Sequence, residues 1–289
     1  MHKPRNAGSD STSRPAQRGR RQSRRRFLTW LGSGVAAAVM VGGVMNVYRF
    51  DVEEHDLIMA GLRTPLRLAW LTDLHYGRYV GSGSIAAWVD ATLAARPDLI
   101  LLGGDIVDFS SGNDLEPLLT QLRRLRAPLG TLTVWGNHDV RRYGAALPGF
   151  AASLATAGVQ ALRNQGLRVR DDLYLAGLDD VREGEPDLGA ALAGRPAECA
   201  CLLMSHNPDV LPLVPDHVGL TLCGHTHGGQ VRLPLIGPLV TSSRYGRRFA
   251  SGWVAGPARG YVSRGLGVAQ IPLRIACPAE LTLMNLNPA

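Results

Sequence analysis

Five short apolar runs, each ending in polar residues, constrain the fold of this chain more than any other feature. They lie at 66–73, 98–105, 130–137, 199–206 and 217–224. Runs of this length, apolar almost throughout, are typical of strands that are buried on both faces of a sheet. The stretches between them have amphipathic spacing and predict helices at 84–95, 115–126, 147–157 and 187–193. This alternation predicts an α/β fold.

Two regions depart from the alternation of strands and helices. Residues 159–178 have the pattern of hairpin strands, and so do parts of 231–286, where Pro and Gly interrupt short apolar segments. No internal repeat is visible. The sequence therefore predicts mixed sheets with strand-rich insertions instead of one doubly wound parallel sheet.

The net charge of +7 suggests a nucleic-acid partner only until its distribution is considered. Residues 1–26 contain nine Lys or Arg and one Asp, so 22 basic and 23 acidic residues remain in 27–289, a net charge of −1. The basic character belongs to the N-terminal tail, and no nucleic-acid partner is expected. The remaining chain is long and apolar enough to bury one large core.

The residue types present argue against several kinds of functional or structural site. The four cysteines, at 199, 201, 223 and 277, include no C-x-x-C pair, which argues against a structural zinc site. Lys3 is the only lysine, so a phosphate-binding Walker loop is absent. No serine lies in the G-x-S-x-G pattern of a nucleophile elbow.

The N-terminal 50 residues are predicted to be a targeting segment. The motif SRRRFL at 23–28 resembles a twin-arginine export signal, and an uncharged run follows at 27–48. The run is long enough to cross a bilayer, so a retained membrane anchor and a cleaved signal are both open. In either case residues 51–289 are expected outside the cytoplasm, delivered by the twin-arginine export machinery.

At the C-terminal end of each predicted strand lie residues of the types that bind metals. They are Asp73 and His75, Asp105 and Asp108, Asn137 with His138 and Asp139, His206, and His225 with His227. Turn formation is the alternative, since Asp, Asn and Gly favour turns and Asn207 before Pro208 fits a helix N-cap. Turns give no reason for five of the eight histidines to follow strands. Because strand ends form the ligand-binding edge of α/β sheets, we expect these groups on one rim.

A centre of two divalent ions explains this set of residues. Ions about 3.5 to 4 Å apart need a carboxylate between them, because the anion screens their repulsion. Imidazole and oxygen ligands without thiolate indicate Mn²⁺, Zn²⁺ or Fe.

The motifs TDLH, GGDIVD, GNHD, SHNPD and GHTH follow one another between residues 72 and 227. In this order and with these gaps they resemble the calcineurin-like metallophosphoesterase superfamily. The resemblance implies two mixed β-sheets flanked by helices in four α/β/β/α layers, with the metal site at the C-terminal strand ends. The N-terminal segment and the variants LLGGD, SHNPD and CGHTHGGQ are similar to the exported bacterial phosphodiesterases of the YaeI and YkuE type.

The resemblance also implies a role for each matching residue. Seven correspond to metal ligands: Asp73, His75 and His227 for the first ion, Asp105 between the ions, and Asn137, His206 and His225 for the second. His138 corresponds to a residue over the substrate phosphate that supplies charge and a proton, with Asp139 as its expected orienting partner. The implied reaction is attack on phosphorus by hydroxide that bridges the two ions.

Two arginines are candidates for binding a substrate phosphate. Arg78 follows TDLHYG and Arg264 lies in SRGLG, and a guanidinium offers two parallel donors to a phosphate. The alternative for each is a surface position or the anchoring of a loop. The apolar stretch 231–240 predicts a core strand with its turn, and a lipid-facing groove is the alternative.

The function predicted is that of an exported, dinuclear phosphodiesterase or phosphatase. An alternative follows from similarity to the UDP-2,3-diacylglucosamine pyrophosphatases of the same superfamily, which would make the substrate lipid-linked and place the enzyme in lipid A biosynthesis. Topology opposes this alternative, because such a precursor is expected on the cytoplasmic side. A third possibility is a metal-stabilised envelope protein without catalysis, which the presence of His138 and Asp139 opposes.

Overall fold

The computed structural model describes residues 29–30, 40, 42–110, 112 and 114–289. Within it, Gly42–Ala289 forms one compact unit, which begins before the predicted domain boundary at residue 51. The twin-arginine motif at 23–28 and much of the apolar run at 27–48 lie outside the described residues. In the part of the chain that is described, no helix has the length and apolarity needed to span a membrane.

The first sheet has six strands in the spatial order β1-β14-β2-β3-β4-β5. Their bounds are β1 Phe50–Ile58, β2 Leu66–Leu71, β3 Leu99–Leu102, β4 Thr131–Thr133, β5 Val159–Ala161 and β14 Ala279–Asn287. Strands β2 to β5 run parallel, whereas β14 is antiparallel to β2 and parallel to β1. The sheet is therefore mixed, as predicted.

The second sheet also has six strands, in the order β12-β13-β9-β8-β7-β6. Their bounds are β6 Gln165–Arg170, β7 Leu173–Gly177, β8 Ala200–Met204, β9 Leu220–Cys223, β12 Gly252–Val254 and β13 Gly260–Val262. The outer pairs are antiparallel and the four central strands are parallel. The predicted hairpin at 159–178 is β6 with β7, whereas β5 joins the first sheet.

A separate two-stranded ribbon follows the motif GHTH at residues 224–227. It consists of β10, Arg232–Leu233, and β11, Gly237–Pro238. The prediction of a core strand at 231–240 is wrong, because six of these ten residues are exposed and only one is buried.

Five α-helices have bounds in the described residues. They are α1 Ser82–Ala94, α2 Glu116–Leu122, α3 Asn137–Tyr143, α4 Leu147–Thr156 and α5 Leu188–Leu192. Helices α1, α2 and α4 pack on the outer face of the first sheet, and α5 packs on the outer face of the second. A further apolar cluster lies between the two sheets. The layers are thus α/β/β/α, which confirms the predicted fold.

The apolar runs are explained by burial on both faces. In β2, Leu68 and Trp70 belong to the cluster between the sheets, and Ala69 and Leu71 belong to the cluster under the helices. All four side chains are almost completely buried. A strand in this position has no polar face, so its sequence shows a continuous apolar run instead of alternation.

Candidate metal centre

The chain leaves β2, β3 and β9 through a strained backbone at the residues of this site. Positive φ angles occur at five predicted ligands: Asp73 (56°), His75 (48°), Asp105 (48°), His225 (71°) and His227 (52°). This left-handed region is uncommon for residues other than glycine and costs about 1–3 kcal/mol each. Such conformations persist only where surrounding structure enforces them. Here they turn successive side chains into one space between the strand ends.

The first group of side chains combines Asp73 and His75, which follow β2, with His227, which follows β9. Nε2 of His75 lies 3.0 Å from Nε2 of His227, and the latter atom lies 3.4 Å from Oδ1 of Asp73. One ligand atom from each residue lies within 4.8 Å of the others. All three side chains are buried. These are the three residues predicted for the first ion.

The second group lies around the carboxylate of Asp105. Its Oδ2 is 3.2 Å from Nε2 of His206 and 3.5 Å from Nε2 of His75. Asp105 and His206 also group with His225 within 4.8 Å. Asp105 therefore lies between the two groups, where a bridging ligand is expected. The ring of His206 is oriented by its Nδ1, which is 2.8 Å from the carbonyl oxygen of Gly103.

Several buried atoms at this site need a partner that the protein does not provide, and two of them belong to candidate ligands of the second ion. Among the described residues, Oδ1 of Asn137 and Nε2 of His225 have no hydrogen-bond partner. Buried polar atoms are normally satisfied, so an unpaired acceptor beside carboxylates and imidazoles indicates a bound cation. The set of oxygen and nitrogen donors fits Mn²⁺, Zn²⁺ or Fe. These residues therefore fit the predicted pair of ions.

Glycines allow the strand ends to approach one another. A Cβ added to Gly224 would contact Oδ2 of Asp73 and lie 2.9 Å from Cγ2 of Thr72. A Cβ added to Gly136 would lie 2.7 Å from the carboxylate carbon of Asp105. Cβ contacts this short do not occur in real structures, so any side chain at either position would displace a candidate ligand.

Burial keeps two of the histidines in the form that binds metals. It lowers the pKa of His225 to about 3, assisted by the charge of His206. Burial also lowers the pKa of His227, and the neighbouring His75 adds to this effect. Burial alone would raise the pKa of Asp105, but His206 and His75 outweigh it and lower that pKa. Neutral imidazoles and an ionised carboxylate are the forms that coordinate cations.

His138 lies at the edge of the centre beside a carboxylate that was not assigned to it. Its Nδ1 is 3.5 Å from Oδ2 of Asp108, and this oxygen is also 3.7 Å from Nδ1 of His75. Burial tends to lower the pKa of His138, but the Asp108 and Asp105 carboxylates outweigh it and raise that pKa. Asp108 is therefore a positioning residue for one candidate ligand and for the candidate proton donor.

Asp139 does not orient His138 as expected. Its carboxylate is buried and accepts the backbone N–H groups of Ile106, Val107 and Gly136, at 3.2, 3.1 and 3.1 Å. It occupies the third position of α3, so it caps the start of this helix and fixes the turn after β3. Burial and the Asp105 charge raise the pKa of Asp139 to about 7. Asp108 takes the place that the sequence assigned to Asp139.

The two candidate arginines have different surroundings. The Arg264 guanidinium lies 2.8 Å from Glu53 and 3.2 Å from Glu280, and it donates to the carbonyl oxygen of Pro278. These contacts anchor its loop, and its role in substrate binding stays a prediction. Arg78 is exposed, with its guanidinium over the ring of Tyr79. Its predicted role remains open to test.

Comparisons with known proteins agree with this geometry. A family model of calcineurin-like phosphoesterases matches residues 66–229. The chain is 31% identical to the uncharacterized metallophosphoesterase YkuE of Bacillus subtilis (strain 168), over 93% of this chain and 99% of that protein. It is 32% identical to the phosphodiesterase YaeI of Escherichia coli (strain K12), over 91% of this chain and 99% of that protein.

A solved structure, the 5'-nucleotidase precursor from Thermus thermophilus, is similar at 17% identity with a TM-score of 0.44, covering 77% of this chain and 54% of that one. The family match spans more than half of the chain and contains all seven candidate ligands. This chain belongs to the calcineurin-like phosphoesterase family and is a metal-dependent phosphoester hydrolase.

Proposed function

We propose that this protein hydrolyses phosphodiesters with two divalent ions and acts outside the cytoplasm. The observation that carries the proposal is the position of Asp105, whose carboxylate groups with His75 on one side and with His206 and His225 on the other. Asp73, His75 and His227 would hold one ion. Asn137, His206 and His225 would hold the other, with Asp105 between them.

Two ions bound by these residues would lower the pKa of water and would offset the negative charge that develops on phosphoryl oxygens. The residues of the chain have further tasks. His138 is only partly buried and lies 4.5 Å, centroid to centroid, from the ring of His75. Because its pKa is raised, its ring is protonated over more of the neutral range and can donate a proton to the leaving oxygen. Asp108 holds the ring in place.

Action outside the cytoplasm is supported by the N-terminal sequence. The consecutive arginines Arg24 and Arg25 precede an uncharged run, which is the pattern read by the twin-arginine export machinery. If the run at 27–48 is retained, it holds the enzyme at the membrane. A reporter fusion with Arg24→Lys and Arg25→Lys tests this route, and unchanged export would contradict it.

The proposed reaction is tested on the purified full chain in detergent. We expect hydrolysis of bis-p-nitrophenyl phosphate with Mn²⁺ or Zn²⁺, and about two ions per chain by metal analysis. Asp105→Asn should lose both bound metal and activity, whereas His138→Ala should keep the metal and lose about 10²- to 10⁴-fold in rate.

Two results would contradict the proposal. One is metal-loaded protein that hydrolyses no phosphoester. The other is Asp105→Asn protein that retains wild-type activity and metal content. UDP-2,3-diacylglucosamine is included as a second substrate, and its preferential hydrolysis would favour the glycolipid alternative over a simple diester.

A further inference from the structure

The ribbon formed by β10 and β11 exposes apolar side chains next to the metal centre. Leu235 at its tip is fully exposed, Val240 is 74% exposed, and Ile236 and Leu239 are about half exposed. Isolated exposed apolar residues are ordinary, but a continuous group of this kind on a soluble surface marks an interaction site. We name residues 231–240 the apolar ribbon.

Two other segments extend this apolar surface. Residues 271–275 lie beside the ribbon, because the N–H of Arg232 donates to the carbonyl oxygen of Ile275 at 3.0 Å. On the other side of 271–275 lies the end of the uncharged run, where the N–H of Arg274 donates to Gly43 at 2.9 Å. Ile271 in the first segment and Met45 in the second are both exposed. The apolar ribbon is thus continuous with the end of the predicted targeting segment.

Positive charge lies at the C-terminal end of the ribbon. Arg244, Arg247 and Arg248 are exposed, and Tyr245 between them is partly exposed. The backbone N–H of Arg244 donates to the carboxylate of Asp209 at 3.0 Å, three residues after His206. The ribbon begins four residues after His227. Both ends of this apolar and basic segment are therefore attached to the rim that bears the metal ligands.

We infer that the apolar ribbon and the arginines at 244–248 dock the enzyme onto an anionic phospholipid bilayer. Exposed leucines and isoleucine enter the boundary between headgroups and acyl chains, and arginines bind lipid phosphates; this combination is typical of interfacial proteins. A protein partner is less well matched, because the uncharged run at 27–48 ends at the same edge. This inference rests on the proposed function and names its substrate class: phosphodiesters presented at a bilayer surface.

Fluorescence from the ribbon tests the docking in the full chain. All four native cysteines are free and buried, so Leu235→Cys supplies an accessible thiol for an environment-sensitive fluorophore. Ala155→Cys on α4 is the matched control, because residue 155 is exposed and lies on the helical face of the first sheet. Each labelled protein is reconstituted with vesicles of phosphatidylcholine, with or without phosphatidylglycerol.

We expect the label at 235, but not at 155, to emit at shorter wavelength and to be quenched by lipid-borne spin labels in the anionic vesicles. The response should weaken in phosphatidylcholine alone and in the Arg247→Glu, Arg248→Glu background. A label at 235 that behaves like the label at 155 would overturn the inference. So would a shift that grows with protein concentration in detergent without vesicles, because a second copy of the chain would then cover the ribbon.

A substrate comparison separates docking from chemistry. Leu235→Ser with Val240→Ser should lose turnover of a headgroup-labelled phosphatidylethanolamine in vesicles, while hydrolysis of bis-p-nitrophenyl phosphate stays at the wild-type rate. Equal turnover of the vesicle-borne diester by variant and wild type would reject the substrate class. Absence of bis-p-nitrophenyl phosphate hydrolysis in the wild type would instead reject the proposed function, whatever the fluorescence shows.

Discussion

Replacement of Gly136 by alanine tests whether the spacing of the strand ends sets the position of the bridging carboxylate. Gly136 has φ −100° and ψ 170°, an extended conformation that alanine adopts without strain. The perturbation is therefore purely steric. A Cβ at this position would lie 2.7 Å from the carboxylate carbon of Asp105 and closer still to its Oδ1 and to its backbone nitrogen.

Ordinary contact between carbon atoms begins at about 3.5 Å, so Asp105 would have to move by roughly 1 Å, with its backbone as well as its carboxylate. A misplacement of about 1 Å in a catalytic group costs about 10²-fold in rate. Overpacking of a buried position destabilises the fold by about 1–3 kcal/mol. We therefore expect Gly136→Ala to fold with reduced stability, to bind less metal and to lose about 10²-fold in kcat/KM for bis-p-nitrophenyl phosphate.

Gly149→Ala is the matched control, because no atom lies within 4 Å of a Cβ added there and the residue lies inside α4. This variant should retain wild-type kcat/KM and gain about 0.5–1 kcal/mol of stability, since alanine favours helix over glycine. Thermal unfolding and metal content are measured beside activity for both variants. Wild-type activity and metal content in Gly136→Ala would refute the reasoning that this close approach positions Asp105.

Three further predictions concern charged residues around the core. Asp108→Asn should lower the pKa of His138, so the alkaline limb of the kcat profile moves to lower pH and kcat falls by about 10-fold or more. Burial would raise the pKa of Asp172, but Arg170 and backbone amides hold it at about 2; this stability is present above the unfolded pKa of about 3.9 and lost towards pH 2. Asp172→Asn should therefore cost about 1 kcal/mol in denaturant unfolding at pH 7, because solvent screens part of the interaction, and progressively less as the pH falls through 2. Arg264→Ala should destabilise the fold by about 3 kcal/mol, because Glu280 loses its cationic partner, and leave KM for the diester unchanged; a large rise in KM would support the predicted role in substrate binding.

The five apolar strands could be predicted because burial on both faces leaves a signal that depends on no distant residue. Their ends were less well predicted. The runs at 66–73 and 98–105 end as strands at Leu71 and Leu102, because the residues that follow include Asp73 and Asp105 with left-handed backbone. A strand cannot continue through such residues. Two candidate metal ligands, Asp73 and Asp105, are thus also the residues that prevent β2 and β3 from continuing.

The edges of the sheets depend on pairing between distant segments, and local sequence does not specify it. Strand β1 pairs in parallel with β14, with Phe50 opposite Ala279 at one end and Ile58 opposite Asn287 at the other. Strand β1 is half exposed and carries five charged or imidazole side chains in nine residues. Its local pattern therefore resembles a solvated segment. Only the tertiary structure shows that it completes the first sheet.

The candidate ligands could be predicted as a set, because side chains that bind one pair of ions must lie close together. The partner of His138 could not be predicted in this way. Asp139 was the expected partner because it is the next residue in the chain, but adjacency in sequence does not determine the direction of a side chain. Asp139 follows the N-cap Gly136 by three residues, the separation of a capping box, so the amides of the helix start compete for its oxygens. Asp108 starts no helix; its Oδ1 accepts the backbone N–H of Ser110, and its Oδ2 is left to contact the imidazoles of His75 and His138. Helix capping therefore decides which of the two carboxylates is left to contact His138.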